Sequence, residues 1–171
     1  MHSEYRRRVR RVVFSAVSGA LYAALTILIE PLSYGPIQFR FAEALCLLPF
    51  WAPETTLGLF AGCLIANLFS PFGLPDIVAG SLATLLAVYV VSKMKIPWLT
   101  PLPVVLTNAV IVGAVISLYS EERIPFLWSA LSVGFGELAV CVLLGLPLIY
   151  ALPEIPYFKQ LFAERMMEPS K

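Results

Sequence analysis

Charged residues are scarce in this sequence. Only 13% of its 171 residues are Asp, Glu, Lys or Arg, which is about half the share found in a soluble domain. In contrast, 59% are hydrophobic and the mean hydropathy is +0.83. This composition excludes an ordinary soluble globular domain, because too few polar side chains are available to cover its surface. The sequence predicts an integral membrane protein.

Residues that bind metals or perform covalent catalysis are equally few. The only histidine, His2, is next to the N-terminus, and Cys46, Cys63 and Cys141 stand in separate apolar segments without CxxC spacing. This pattern excludes a metal centre built on imidazole or paired thiolates. GxSxG, Walker A and HExxH motifs are also absent from the sequence. We therefore predict neither an enzyme nor a cofactor-binding protein.

Six apolar segments predict an all-helical membrane protein with a bundle of six transmembrane helices. Their approximate bounds are 10–29, 39–52, 55–70, 75–93, 100–119 and 125–151. The second segment is short for a hydrocarbon core of about 30 Å, and it is either tilted, partly re-entrant or shielded by its neighbours. No linker or repeat divides the chain. This predicts one domain over 1–171, with a basic N-terminus over 1–9 and a tail over 152–171.

The basic residues are unevenly distributed between the two sides that six helices define. With the N-terminus inside, ten of the twelve lie on the cytoplasmic side, and only Arg40 and Arg123 lie outside. Positive charge is typically retained in the cytoplasm. We therefore predict a multi-pass protein of the cell membrane with both termini in the cytoplasm. Nucleic-acid binding is the weaker interpretation of the arginines near the N-terminus.

Residues 34–43 place ionisable groups at the start of a membrane segment. Arg40 and Glu43 are three residues apart and share one face of a helix. Charged side chains at that depth are costly, and they usually mark a substrate path, an ion relay or a buried pair. A glycine-proline pair in the same stretch favours a sharp turn. We predict that Tyr34 to Gln38 forms a lid over a binding site.

Other polar side chains fall in the same outer half of the predicted bundle. Asn108 and Glu137, counted from the outer ends of their helices, lie at one level about 16 Å deep. Four more lie nearer the surface, namely Arg40, Glu43, Asn67 and Asp76. A capture site open to one side needs polar groups only at its mouth and floor, whereas a channel or proton relay needs them throughout. The alternative is structural: interhelical hydrogen bonds of the asparagines and an Arg40–Glu43 ion pair.

Glu137 is the most informative of these residues, because no basic residue lies in its own or the adjoining segments. A buried carboxylate without such a partner needs hydrogen-bond donors from elsewhere. An amidine-like or guanine-like edge of a ligand presents two parallel N–H donors to a carboxylate. The amide of Asn108 would complement the remaining groups of a flat heterocycle.

Small residues recur at four-residue spacing in the first and third helices, and such strips let helices approach closely. The first helix carries Ala16, Ala20 and Ala24, with a neighbouring strip of Ser15, Gly19 and Ala23. The third helix carries Gly58, Gly62 and Ala66. We predict internal helix packing for the strip of the third helix.

Three runs of the sequence resemble the QueT family. They are residues 33–40 together with 43–45, residues 62–71 together with Asp76, and residues 134–138. Members of that family are the substrate-binding S components of energy-coupling factor (ECF) transporters, assigned to the uptake of queuosine precursors. The resemblance implies a six-helix S component that captures a 7-deazaguanine base from outside. It also implies partners, a transmembrane scaffold (T) subunit and two cytoplasmic ATPase subunits.

The residues and the resemblance together predict the roles of the site residues. Glu137 and Asn108 are expected to bind the guanine-like edge. The mouth of the pocket is expected to contain Arg40, Glu43, Asn67 and Asp76, and Tyr34 and Gln38 are expected to contact the substrate from the lid. The resemblance further implies that Ala16, Ala20 and Ala24 dock the T subunit. Two alternatives are an S component for another vitamin-like solute and a stand-alone secondary carrier coupled to protons through Glu137 and Asp76.

Overall fold

The computed structural model describes residues 2–33, 38–120 and 123–167, and every regular element within these ranges is helical. Apart from the short turns Glu30–Ser33 and Pro97–Leu99, the described residues form seven helices. They are α1 (His2–Leu28), α2 (Phe41–Phe50), α3 (Thr55–Asn67), α4 (Asp76–Lys93), α5 (Pro101–Tyr119), α6 (Phe126–Glu154) and α7 (Pro156–Met167). The sequence predicted six helices, all of them transmembrane. The additional helix, α7, lies in the segment that was predicted to be a tail.

Four of the helices are long and apolar enough to cross a membrane, as expected for a membrane protein. They are α1 from Glu4 to Leu28, α4, α5 together with the turn that precedes it (Pro97–Tyr119), and α6. The apolar helices α2 and α3 are shorter, with 10 and 13 residues. The all-helical membrane class is thus confirmed for the described residues.

The second helix is a short 3₁₀ helix that the other helices enclose. At a rise of about 2.0 Å per residue, α2 spans about 20 Å. Every residue of α2 after Phe41 is buried, and the helix contacts α1, α3, α4, α5 and α6. This burial agrees with shielding by neighbouring helices, one of the three explanations left open for this segment.

Glycines bring the backbones of α1 and α3 into direct contact. A Cβ atom on Gly19 would lie 2.1 Å from the carbonyl oxygen of Gly58, and one on Gly58 would lie 2.0 Å from that of Ser15. A Cβ atom on Gly62 would lie 2.2 Å from the carbonyl oxygen of Gly19. No other residue type fits at such distances. Internal packing of the α3 strip is confirmed, and its counterpart is the Ser15/Gly19 strip of α1.

The other small-residue strip of α1 faces away from the bundle. Ala16, Ala20 and Ala24 are all exposed, whereas Gly19 and Ala23 are buried. The two strips are offset by one residue, which rotates them to different faces of the helix. Helix α1 therefore packs internally through one strip and leaves the other available on its outer surface.

Helix α7 folds back on the first helix through aromatic side chains. The ring of Phe14 lies 5.5 Å from that of Phe158 and 6.0 Å from that of Phe162, and Phe162 also stacks on Trp51 at 6.4 Å. The indole N–H of Trp51 donates to the backbone carbonyl of Ile149 at 2.8 Å. These contacts close the end of the bundle at which α1 begins.

The α1–α3 contact yields a stability prediction. Replacing Gly58 with Ala places a methyl group against the backbone carbonyl of Ser15, which cannot rotate away as a side chain would. We expect the free energy of unfolding in detergent to fall by about 1–3 kcal/mol, the usual cost of overpacking. Denaturant titration followed by tryptophan fluorescence measures this change.

Gly134→Ala is the matched control. Its Cβ would meet the methyl group of Ala109 at 3.4 Å, an ordinary van der Waals distance. Equal stability of the two variants would contradict the proposed backbone contact.

Candidate substrate-binding site

Only four charged side chains are buried among the described residues, and all four were predicted to be site residues. They are Arg40, Glu43, Asp76 and Glu137, and none of them is more than 1% exposed. Arg40 and Glu43 lie at the start of α2, Asp76 begins α4, and Glu137 lies in the middle of α6. Three acids and one base are thus enclosed in the bundle beside its apolar core.

A glycine on α6 brings the start of α2 next to Glu137. A Cβ atom on Gly136 would lie 2.0 Å from the backbone carbonyl oxygen of Gln38, so the segment that leads into α2 crosses α6 in direct backbone contact. The thiol of Cys141, one turn further along α6, lies 3.8 Å from the backbone carbonyl oxygen of Glu43. Two points on α6 therefore fix the position of Arg40 and Glu43.

Asn108 and Glu137 lie side by side, as counting along the helices predicted. The amide Nδ2 of Asn108 donates to Oε1 of Glu137 at 3.3 Å, and both side chains are buried. This bond leaves two acceptors, Oδ1 of Asn108 and Oε2 of Glu137, without a hydrogen-bond partner among the described residues. The pair thus presents a carboxylate oxygen and an amide oxygen to any ligand that reaches it.

Arg40 pairs with one of the three buried carboxylates. Its Nη1 lies 3.9 Å from Oε1 of Glu43, a long ion pair on one helical face. The predicted ion pair is therefore present, but a single guanidinium must compensate more than one carboxylate.

Tyr22 is a member of the site that the sequence analysis missed. Its hydroxyl group is fully buried and donates a short hydrogen bond to Oε1 of Glu43. It also lies 3.5 Å from the thiol of Cys63, which is 3.2 Å from the hydroxyl group of Thr84. The sequence could have indicated this role. Tyr22 falls on the same face of α1 as the strip that packs on α3, and a buried tyrosine hydroxyl usually has a hydrogen-bond partner.

Asn67 bonds to two neighbouring elements through its side-chain amide. Its Nδ2 donates to the backbone carbonyl of Asp76 at 3.1 Å and to the hydroxyl group of Ser81 at 3.2 Å, and it lies 3.4 Å from the thiol of Cys63. These bonds join the end of α3 to the beginning of α4. These are the interhelical bonds of the structural alternative, and a contact of Asn67 with the substrate stays a prediction.

Asp76 combines a structural bond with an available oxygen. Its Oδ2 accepts a hydrogen bond from Ser70 at 2.6 Å, while Oδ1 has no hydrogen-bond partner among the described residues. A Cβ atom on Gly80 would lie 2.5 Å from Oδ1, so glycine at position 80 is required to accommodate the carboxylate. Asp76 and Gly80 bound a π-helical turn, a feature frequent at functional sites.

The predicted lid falls mostly outside the described residues. Tyr34 and the three residues that follow it are not described, so the lid and the role of Tyr34 stay predictions. Gln38, at the end of that stretch, is buried, and its side-chain Oε1 has no hydrogen-bond partner among the described residues.

The sequence of this chain matches a known protein family. The sequence model described as "QueT transporter" matches residues 12–154. The chain belongs to the QueT transporter family. The matched range of this QueT family member includes every described residue of the site, and the resemblance noted from the sequence is confirmed.

A curated relative is similar over a shorter range. The "Queuosine precursor transporter QueT" of Lactococcus lactis subsp. cremoris (strain MG1363) is 38% identical over 76 residues. This alignment covers 43% of the present chain and 44% of that protein, so it spans less than half of either of the two. No solved structure matches the chain.

The role of Tyr22 can be tested by removing its hydroxyl group. In a Tyr22→Phe variant, Oε1 of Glu43 loses its hydrogen-bond donor while the carboxylate stays buried. We expect the free energy of unfolding to fall by about 1–3 kcal/mol, the cost of an unsatisfied buried acceptor. Denaturant titration in detergent measures the loss.

Tyr150→Phe provides the control, since Tyr150 lies on α6 and is 51% exposed. Its unfolding midpoint should match that of the unmodified protein. A Tyr22→Phe variant as stable as this control would show that the hydrogen bond to Glu43 contributes nothing.

Proposed function

We propose that this QueT family member is the substrate-capture (S) subunit of an ECF-type importer. Its ligand is a queuosine precursor, a 7-deazaguanine base, which enters a pocket open to the outside of the cell. The name of the Lactococcus relative supports this choice of substrate. The observation that carries the proposal is the buried Glu137 carboxylate, which is bonded to Asn108 and retains an unpaired oxygen.

The Glu137–Asn108 pair suits the edge of a guanine-like ring. Such an edge presents a ring N–H and an exocyclic amine side by side, and a carboxylate accepts both in parallel. Glu137 has no other described hydrogen-bond donor besides Asn108, so the ligand supplies what the protein lacks. Hydrogen bonds to a charged acceptor in a dry site are stronger than those between neutral groups.

The proposed orientation follows from charge distribution along the chain. Helices α1 to α6 form the six transmembrane helices of the S component, with α2 and α3 shielded by the longer ones. Positive charges near the start of α1 keep that end in the cytoplasm. Arg40 and Asp76 are then at the outer end of the bundle, where a substrate enters, and α7 lies on the cytoplasmic side.

Energy for transport comes from partner subunits in this proposal. The sequence contains no Walker A motif with which to bind ATP. The exposed strip of Ala16, Ala20 and Ala24 allows a helix of the T subunit to approach the backbone of α1 closely. Two ATPase subunits bound to the T subunit would complete the importer.

A proton-coupled carrier is the second candidate, because three buried carboxylates are also what proton coupling uses. The two functions differ in one measurement. If this chain is a stand-alone carrier, proteoliposomes that contain it alone take up a 7-deazaguanine base when a proton gradient is applied. If it is an S subunit, they do not.

Substitution of Glu137 tests the proposed ligand contact. Glu137→Gln keeps the size of the side chain but turns an acceptor toward the ligand into a donor. We expect the affinity for a 7-deazaguanine base to fall by about 2–4 kcal/mol, as for a mispaired buried hydrogen bond to a charge. Isothermal titration of the purified, folded subunit measures the affinity.

Glu154→Gln is the control for this variant. Glu154 is exposed at the other end of α6, so its substitution should leave the affinity unchanged. If Glu137→Gln also binds with unchanged affinity, the carboxylate does not contact the ligand.

Substitution of Ala20 tests the proposed docking surface. Tryptophan at position 20 adds a bulky side chain to an outward face of α1 and should prevent close approach of the T subunit. We expect transport and co-purification with the T subunit to be lost, while the isolated subunit binds its ligand normally.

Leu131→Trp places the same side chain on an exposed face of α6 and should retain both activities. Loss of ligand binding together with transport in Ala20→Trp, or retention of both, argues against docking through this strip.

A further inference from the structure

A cavity lies at the end of the bundle opposite to the candidate substrate-binding site. It has a volume of about 650 Å³ and lies between the start of α1 and helix α7. Sites for small ligands have volumes of about 300–1,000 Å³, so this cavity is large enough for one. The described residues that line it include Arg6, Arg7, Arg10, Tyr157, Gln160 and Leu161.

Three guanidinium groups give this cavity a positive charge. Arg6, Arg7 and Arg10 line it, and no acidic side chain is among the described residues of its lining. In contrast, the neighbouring Arg11 pairs with Glu54 at 3.6 Å. Like charges four residues apart on a helix repel each other, as Arg6 and Arg10 do, and an anion bound between them would relieve this repulsion. Retention of the N-terminus in the cytoplasm requires positive charge but does not require a cavity.

Aromatic contacts hold the two walls of the cavity in place. The guanidinium group of Arg10 lies 5.9 Å from the centre of the Tyr157 ring, which is a cation–π contact between α1 and α7. One turn further along α1, the ring of Phe14 lies 5.5 Å from that of Phe158. A guanidinium group stacked on a ring keeps its N–H donors in the plane of the group, where their fork matches the oxygens of a phosphate.

The face of α1 that carries two of these arginines continues into exposed apolar residues. Arg6, Arg10, Val13 and Val17 are spaced by four, three and four residues, so they lie on one face of the helix. Val13 and Val17 are more than half exposed, and both belong to the span of α1 that is long and apolar enough to cross a membrane. A ligand with an anionic head and an apolar chain would therefore find a surface for each part.

We propose that this cavity binds the headgroup of one anionic phospholipid. The phosphate oxygens accept hydrogen bonds from Arg6, Arg7 and Arg10, while an acyl chain lies along Val13 and Val17. A zwitterionic lipid binds less tightly, because its choline group brings a positive charge close to the three guanidinium groups.

The lipid belongs to the membrane surface at which α1 begins, which is the cytoplasmic leaflet in the proposed orientation. Basic residues beside a membrane helix attract anionic lipids in general. The cavity adds a defined position and a limit of one lipid molecule. This second site is separate from the candidate substrate-binding site, and the inference holds whichever solute that site binds.

The test titrates the purified full-length protein in a non-ionic detergent with three compounds. Dioctanoyl phosphatidylglycerol carries an anionic headgroup and two chains, dioctanoyl phosphatidylcholine carries the same chains without net charge, and glycerol 3-phosphate is the anion without chains. Native mass spectrometry counts the molecules bound to each protein. We expect one phosphatidylglycerol molecule to bind about tenfold more tightly than phosphatidylcholine, the scale of a hydrogen bond between charged groups. Glycerol 3-phosphate should bind more weakly than phosphatidylglycerol, since it lacks the chains.

Two outcomes of this titration would contradict the proposal. Phosphatidylglycerol that binds no more tightly than phosphatidylcholine would overturn the anion site. Glycerol 3-phosphate that binds as tightly as phosphatidylglycerol would overturn the lipid assignment and identify a site for a soluble phosphate ester.

Two variants locate the bound lipid. Arg10→Gln removes one guanidinium group and should weaken phosphatidylglycerol about tenfold, while phosphatidylcholine is unaffected. Lys159→Gln is the matched control, because Lys159 is an exposed residue of α7 that does not line the cavity. Its affinity for phosphatidylglycerol should equal that of the unmodified protein. Equal affinities in the two variants would overturn the site and leave only a general attraction to the basic surface. If Arg10→Gln does not fold, Arg6→Gln takes its place with the same expected result.

Discussion

The enclosure of three carboxylates around one guanidinium constrains the rest of this structure. Glu43, Asp76 and Glu137 reach the interior from three different helices, and Arg40 pairs with Glu43. Buried charge is tolerated only where hydrogen bonds and countercharges are arranged around it. The helices at this end of the bundle must therefore keep a fixed arrangement, which explains the density of side-chain bonds between α1, α2, α3 and α4.

Backbone contacts at glycines supply that fixed arrangement. The α1–α3 contact at Gly19 and Gly58 holds the helix that carries Tyr22, and the contact of Gly136 with Gln38 holds the segment that carries Arg40. In a membrane, helices gain little from hydrophobic association with one another, so close packing and interhelical hydrogen bonds become the main attractive forces. The close contacts at small residues thus hold the polar side chains of the site in position.

Helix α1 connects the proposed site with the proposed docking surface. Tyr22 faces inward and binds Glu43, while Ala20 and Ala24, on either side of it in the sequence, face outward. A rotation or shift of α1 on ligand binding would alter both faces together, because a helix moves as a rigid element. This offers a physical route by which ligand binding would change the proposed docking surface.

The sequence by itself determined the membrane class, most helix positions and the identity of the buried charges, because charged residues are so rare in apolar segments that each one is conspicuous. It also placed Asn108 and Glu137 at one level, since the rise of a helix is constant. Only the tertiary structure decided the 3₁₀ form of α2, the packing of α7 and the hydrogen bonds that Asn67 and Tyr22 make. Those features depend on which faces of distant segments meet, and the periodicity of a single segment carries no information about its neighbours.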